Sequence, residues 1–360
     1  MSQAVAIKHT PGAPGRVYYP LDYIHLPDRQ PEADQVVVRI TAAALNHRDL
    51  FIRQALYPGF AFGVPILSDG CGVVTHTGAD VSHWEGKRVI LNPGIGWKDD
   101  PDGPEAANGY VILGGTKAHP VGTLAETVTI DADQLEEAPP HLGHVEAAAL
   151  PLAGLTAWRV TMVKCANARP GRNILVTGIG GGVAIMALLF ATAAGANVYV
   201  TSGNEEKIQK ARELGAKGGV NYKDADWDSQ LRKMLPEDRR YLDAIIDGAG
   251  SNIVEKGSKL LKAGGIIAIY GMTTSPKMPF LMQAVLKNIE VRGSTMGSRK
   301  DFADMVAFVA AQKIRPVVSS VVAGLENREG IDGLFEEMKE AGQFGKLCVE
   351  LVKDGETSKL

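Results

Sequence analysis

Asn173-Ile-Leu-Val-Thr177 runs without interruption into Gly178-Ile-Gly180-Gly181-Gly182-Val183-Ala184, and an apolar stretch continues to Ala194. The first five residues read as a strand and Val183 to Ala194 as a helix, so the glycines occupy a strand-to-helix turn. Such a turn lets the backbone approach a pyrophosphate, whose charge is met by the helix N-terminus and its free N–H groups. The spacing is a variant, Gly178-x-Gly180-x-x-Val183, or Gly180-x-Gly182 read one turn later. Four glycines in five positions exceed what a tight structural turn needs, and Gly178, Gly180, Gly181, Gly182 and Val183 are assigned to a dinucleotide.

Working outward, the chain alternates strand and helix. A strand at Asn197 to Thr201 and a helix at Glu205 to Leu214 closed by Gly215 are followed by strands at Asp243 to Asp247, Gly265 to Tyr270 and Ile289 to Val291. That rhythm predicts an α/β fold, a doubly wound parallel sheet of Rossmann type. Up to about Ile130 the texture is all-β, with β-branched runs at Val36–Ile40, Gly72–Val74 and Arg88–Leu91. The Gly/Pro/Asp-rich stretch from Asn92 to Gly122 is long enough to be a functional loop. Two helices (Asp301 to Gln312, Gly330 to Ala341) and a strand (Lys346 to Val352) are placed to return and complete the first domain. The expected boundaries are 1–150, 151–296 and 297–360.

A site for NAD places Asp or Glu about 20 residues on, where it holds the ribose 2′-hydroxyl. Here the second strand ends Tyr199-Val-Thr201-Ser202-Gly203-Asn204, with no carboxylate. A carboxylate would repel a 2′-phosphate, whereas Ser202 can hydrogen-bond it and Lys207, one turn into the next helix, can supply charge. Taken alone, Lys207 reads as a solvated helix residue. The expected cofactor is NADP.

Composition narrows the partners. Thirty-eight basic and 41 acidic residues are interspersed, giving a net charge of −3 and no basic patch for nucleic acid. The run from Val183 to Val200 is broken by Thr192, Gly195 and Asn197, so no membrane span is expected. The N-terminus lacks the pattern of a secretory signal. Cys71, Cys165 and Cys348 are far apart and read as reduced, buried small residues. The chain ends in Ser358-Lys359-Leu360, the S-K-L peroxisomal address, on a polar tether beginning at Lys353. A peroxisomal import receptor is therefore an expected partner; a cytoplasmic location is the alternative.

An ordered set of motifs spans nearly the whole chain: Ala44-Leu-Asn46-His-Arg-Asp49, Ser68-Asp69-Gly-Cys-Gly72-Val-Val74, Gly122-Thr-Leu-Ala-Glu126, Leu150-Pro-Leu-Ala-Gly154-Leu-Thr156-Ala-Trp158, the glycine turn, Gly219-Val-Asn221-Tyr222, and Gly264-Gly265 with Tyr270-Gly271. In these the sequence resembles the medium-chain dehydrogenase/reductase superfamily, in its zinc-free quinone oxidoreductase-like branch. The resemblance implies a GroES-like β-rich domain carrying the substrate site, an inserted Rossmann domain, a cleft between them, and a homodimer through the Rossmann sheet edge. It adds Thr156, Tyr222 and Gly271 to the cofactor residues, and has Lys207 and Tyr222 hold the 2′-phosphate. Zinc alcohol dehydrogenases place a cysteine at Asn46, Gly-His-Glu at Leu67-Ser68-Asp69 and a cysteine near Leu152; amide, hydroxyl and alkyl groups cannot make that Cys/His/Cys site. The loop from Asn92 to Gly122 also lacks the four cysteines of a structural zinc lobe. His141-x-x-His144 is a possible metal pair, for which a capping or surface role is the better reading.

Without a Lewis acid, a substrate that spreads charge over a conjugated system is easier to reduce. A quinone or an α,β-unsaturated carbonyl takes hydride at its conjugated end, and the enolate oxygen needs a hydrogen-bond donor and a proton route. Asn46 and Tyr57 are the candidates, because the resemblance places Asn46 beside the nicotinamide and Tyr57 on the loop lining the substrate cleft. Tyr57 sits in the turn sequence Leu56-Tyr57-Pro58-Gly59, and the alternative for it is a packing role with a wet hydroxyl. Asp49 either orients the site or caps a helix. Phe51 stands six positions earlier, where a relative has tyrosine, and cannot donate a proton. Two other readings remain: an enoyl-thioester reductase, which uses the same hydride addition, and a catalytically silent NADP-binding structural or sensor protein.

Overall fold

A computed structural model describes residues 1–275 and 277–352. The chain divides into two compact units, Met1–Leu152 together with the segment from Ser298 on, and Ala153–Gly297.

In the second unit six parallel strands lie in the order Gly218–Asn221, Asn197–Ser202, Asn173–Val176, Leu242–Asp247, Leu261–Ile269, Glu290–Gly293. Counted along the chain this is 3-2-1-4-5-6, the doubly wound order, with its switch point between Asn173–Val176 and Leu242–Asp247. Both of those strands are buried along their whole length, as central parallel strands covered on two faces must be. The Gly182–Ala193 helix buries Ala184 to Leu188, Phe190 and Ala191, which accounts for its nearly unbroken apolar sequence.

The first unit holds a seven-stranded sheet in the order Val318–Ala323, Lys346–Glu350, Gln35–Ala44, Asp69–Thr77, Arg88–Leu91, Leu135–Glu137, with Thr127–Asp131 also on Gln35–Ala44. Its register builds a site. Ala44 faces Asp69 on one side and Cys348 on the other, so the ends of three strands converge where the chain leaves Ala44 for Asn46. The returning helices run Arg299–Gln312 and Arg328–Lys339. The second starts two residues earlier than the periodicity suggests, because the Asn327 side chain accepts the Gly330 N–H and caps it. The strands Ser2–Ile7, Leu21–Leu26 and Val318–Ala323 and the helices Trp227–Met234 and Ile253–Leu260 add to what periodicity alone picked out. Val318–Ala323 is a sheet-edge strand with two serines, alternating half-buried and exposed residues, a weak apolar signal.

All three cysteines are free and buried, and burial pushes Cys165 up to about 11 and Cys348 up to about 12. No helix among the described residues is long and apolar enough to cross a membrane. Residues 353–360, with Ser358-Lys359-Leu360, lie outside the described residues.

Candidate functional site

On the second unit, the glycine turn stands at the carboxyl end of the Asn173–Val176 strand. Gly178 has φ +63° and Gly180 φ +144°, the latter a conformation that side chains rarely adopt. The Gly178 N–H donates to Thr201 Oγ1 (3.1 Å) and Ile179 N–H to the Thr201 carbonyl (2.8 Å), which pins the turn to the neighbouring strand. Gly181 is the N-cap of the following helix and makes no side-chain cap, and a Cβ added there or at Gly178 would meet open space. The first helical N–H groups, beginning with Gly182 and Val183, are thus presented for an anion. Thr177 Oγ1 donates to Asp247 Oδ1 at 2.6 Å, bridging the two strands that flank the switch point. Burial raises the Asp247 pKa, and the Gly250 N–H donates to its other oxygen. Gly271 lies at the end of the Leu261–Ile269 strand against Gly248, and Thr156 Oγ1 donates to Met296 Sδ at 3.6 Å.

The ribose-phosphate end differs from expectation in one respect. Ser202 is 4% exposed, and its hydroxyl accepts the Asn204 N–H (3.2 Å) and lies 3.5 Å from the Ile179 carbonyl, so it braces the turn instead of facing outward. A Cβ built on Gly203 would lie 2.8 Å from the Tyr222 hydroxyl and 2.9 Å from Lys223 Cε, so both side chains lie across it. Lys207 follows in the helix capped by Asn204 Oδ1, and burial, then Lys210, lower its pKa. Lys223 was not singled out from the sequence; its place after Tyr222 in the Gly219-Val-Asn221-Tyr222 motif was the available signal.

On the first unit, Asn46 is the N-cap of the His47–Arg53 helix but does not spend its side chain on capping. Asp49 does the capping: its Oδ2 accepts the Asn46 N–H at 2.8 Å. Asp49 is fully buried, and its contact with the Asn46 N–H both caps the helix and holds the backbone of Asn46. Burial pushes its pKa up to about 6 against the opposing pull of Arg48. The Asn46 amide is held elsewhere. Its Oδ1 accepts from Lys346 Nζ at 2.5 Å, and its Nδ2 donates to Asp69 Oδ2 at 3.0 Å. Asp69 Oδ2 also accepts from Lys346 (2.8 Å), and its Oδ1 from the Leu152 N–H (2.8 Å). Asp69 is fully buried and Lys346 is 4% exposed. In the sequence Asp69 stands in the position of a metal motif and Lys346 at the start of a strand, and neither position signals its partner.

Tyr57 is half-buried, its ring 4.6 Å from the Arg48 guanidinium. Arg48 in turn donates to the Leu113 and Gly114 carbonyls (2.8 Å each), which fastens the long loop to this helix. The loop forms a short antiparallel pair, Gly94–Ile95 with Val111–Ile112, and its Glu105 accepts N–H groups of Asp100, Asp99 and Lys98, which hold its carboxyl down to about 2. The Tyr110 hydroxyl, close enough to Tyr57 and Arg48 to feel their charge, is buried with no hydrogen-bond partner among the described residues. His144 Nδ1 is 2.5 Å from Thr41 Oγ1 and His141 Nε2 donates to the Ile314 carbonyl (2.9 Å), so each imidazole has a structural partner.

Residues 32–140 match the alcohol dehydrogenase GroES-like domain, and 182–311 match zinc-binding dehydrogenase. The zinc-type alcohol dehydrogenase-like protein YogA of Leptosphaeria maculans is 51% identical over 344 residues, 94% of this chain and 96% of that protein. The zinc-type alcohol dehydrogenase-like protein C1773.06c of Schizosaccharomyces pombe is 34% identical over 86% of this chain and 87% of its own. The chain belongs to the medium-chain dehydrogenase/reductase superfamily. A solved structure described as an NAD-dependent alcohol dehydrogenase is 32% identical, with a TM-score of 0.83 over 98% of this chain and 100% of that one.

A medium-chain dehydrogenase/reductase is an oxidoreductase with a nicotinamide cofactor, and the glycine turn with its uncapped helix fits the pyrophosphate of one. The zinc implied by the family description fits less well. Where ligands would stand, this member has the Asn46 amide, the Ser68 hydroxyl and Leu152, and the one carboxylate, Asp69, already accepts from Lys346, Asn46 and the Leu152 N–H. An ammonium among these groups repels a divalent cation, and the donor set does not match a zinc site.

Proposed function

We propose that this protein is an NADPH-dependent reductase that transfers hydride, without zinc, to a conjugated carbonyl: a quinone or an α,β-unsaturated ketone or aldehyde. The observation that carries the reading is the Asn46–Asp69–Lys346 cluster, a buried hydrogen-bonding group with a resident cation in place of metal ligands. Bound NADPH supplies the hydride. Asn46 offers an amide N–H to the oxygen on which charge develops, and Tyr57, with its ring on Arg48, stands as the candidate proton donor. Tyr222 and Lys223 beside Gly203, Lys207 in the following helix, and no carboxylate at the end of the Asn197–Ser202 strand support NADPH over NADH.

The test is a panel of quinones, enones, simple ketones and enoyl-CoA thioesters, read at the NADPH absorbance with protein stripped by a chelator. Turnover of quinones or enones by metal-free protein is expected. Turnover confined to simple carbonyls after zinc is restored would overturn the reading; turnover confined to thioesters would move the substrate class; tight NADPH binding with no turnover at all would make this a silent binder.

We further propose a homodimer through the sheet edge at Glu290–Gly293, supported by exposed Phe280, Met282, Val285, Leu286 and Val291 on and near that edge. Light scattering at the monomer mass would count against it. Import into peroxisomes through Ser358-Lys359-Leu360 rests on the tripeptide itself.

A further inference from the structure

An asparagine can present its amide either way round, and only one way gives a developing oxyanion a donor. The Asn46 side chain is joined to two groups of opposite character. Lys346 Nζ has no acceptor capacity, so the atom 2.5 Å from it must be the amide oxygen. Asp69 Oδ2 is an acceptor, so the atom 3.0 Å from it must be the nitrogen. These contacts are consistent with each other, and the Lys346–Asp69 contact of 2.8 Å closes the triangle. Asp69 is itself held on its other oxygen by the Leu152 N–H, and the three groups come from three different segments of one sheet and its outlets. One Nδ2 proton is thus consumed, and the second has no acceptor among the described residues. Asn46 retains 8% exposure, the largest of the three.

We propose that Lys346 is a positioning residue that locks the orientation of the Asn46 amide, polarises it, and so turns its second N–H into the donor for the substrate oxygen. An ammonium on the carbonyl oxygen draws charge from the nitrogen and makes the remaining N–H a stronger donor, an effect enlarged by burial. Lys346 does not touch the substrate; it works through Asn46, and Asp69 holds it there. The inference rests on the conjugated-carbonyl reading for its kinetic test and on geometry alone for its spectroscopic one.

The kinetic test uses the full chain with NADPH and a quinone. Asn46→Asp keeps an acceptor for the ammonium but has no N–H to offer; it should lose about 100-fold in kcat, with KM changed little, as for removal of one oxyanion donor. Lys346→Met should lose about 10-fold or more in kcat with NADPH affinity retained, and Lys346→Arg should recover most of it. The double variant should be no worse than Asn46→Asp alone, since the two residues act as one unit. Wild-type-like kcat in Asn46→Asp, or additive losses in the double variant, would overturn the proposal. Should Lys346→Met fail to fold, Asn46→Asp carries the kinetic test. If the wild type turns over no conjugated carbonyl, the functional reading fails, and asparagine-selective 15N labelling decides the positioning separately. The Asn46 side-chain signal, identified by its loss in Asn46→Asp, should move in Lys346→Met or Lys346→Arg; an unmoved signal overturns the inference.

Discussion

At the scale of single residues, the proposed preference for NADPH turns on the basic side chains that follow the Asn197–Ser202 strand. The Tyr222 hydroxyl and Lys223 lie over Gly203, Lys207 follows in the helix capped by Asn204, and the expected serine faces inward. A charge-assisted hydrogen bond contributes about 1.5 to 3 kcal/mol, so Lys207→Ala should weaken NADPH binding about 10-fold or more and leave NADH unaffected. Lys223→Ala should act in the same direction. Fluorescence titration with both cofactors checks this, and equal losses for NADPH and NADH would remove the assignment. Leu67 shows a different residue-scale effect: it holds φ +67°, a left-handed backbone that favours glycine. Its carbonyl would lie 2.3 Å from a Cβ on Gly114, so strand entry and loop are pressed together beside Asp69.

At the scale of elements, the His47–Arg53 helix begins on a buried carboxyl. Asp49 has its folded pKa raised from 3.8 to about 6, chiefly by burial, so the folded state holds its proton to higher pH than the unfolded chain does. Between those values the native state binds more protons, and stability falls as pH rises. Two pKa units correspond to roughly 3 kcal/mol. Denaturant titrations at intervals from pH 4 to 7 should show wild type losing ground to Asp49→Asn by up to about that amount, the change flattening above pH 6. A difference independent of pH would mean Asp49 is ionised throughout. The glycine-turn helix was legible as an element because strand, glycines and apolar run adjoin in sequence. The site on the first unit was not, because its parts are set by strand register: Asp69 lies 23 residues and Lys346 300 residues from Asn46.

At the scale of the whole molecule, the sheet that ends with Lys346–Glu350 closes the first unit, and the polar sequence after Val352 adds no apolar residue until Leu360. Deleting Ser358 to Leu360 should therefore leave folding and NADPH turnover unchanged. A fluorescent protein carrying the last dozen residues should collect in puncta that coincide with a peroxisomal marker, and removing Leu360 should return it to the cytosol. Diffuse fluorescence from both would show the tripeptide to be accidental and would weaken the case for acyl-thioester substrates.

The doubly wound sheet, the β-rich unit, the glycine-rich strand-to-helix turn and the presence of amide, hydroxyl and alkyl groups at Asn46, Ser68 and Leu152 were all decided by the sequence itself. Each depends on local periodicity or on which side chain stands at a motif position. Only the tertiary structure decided that Ser202 faces inward, that Asp49 accepts the Asn46 N–H, and that Lys346 reaches Asn46 and Asp69. Those facts depend on side-chain direction and on pairing between distant strands. Hydrophobic patterning specifies which face of a strand is buried, but it carries no record of which polar groups meet at its end.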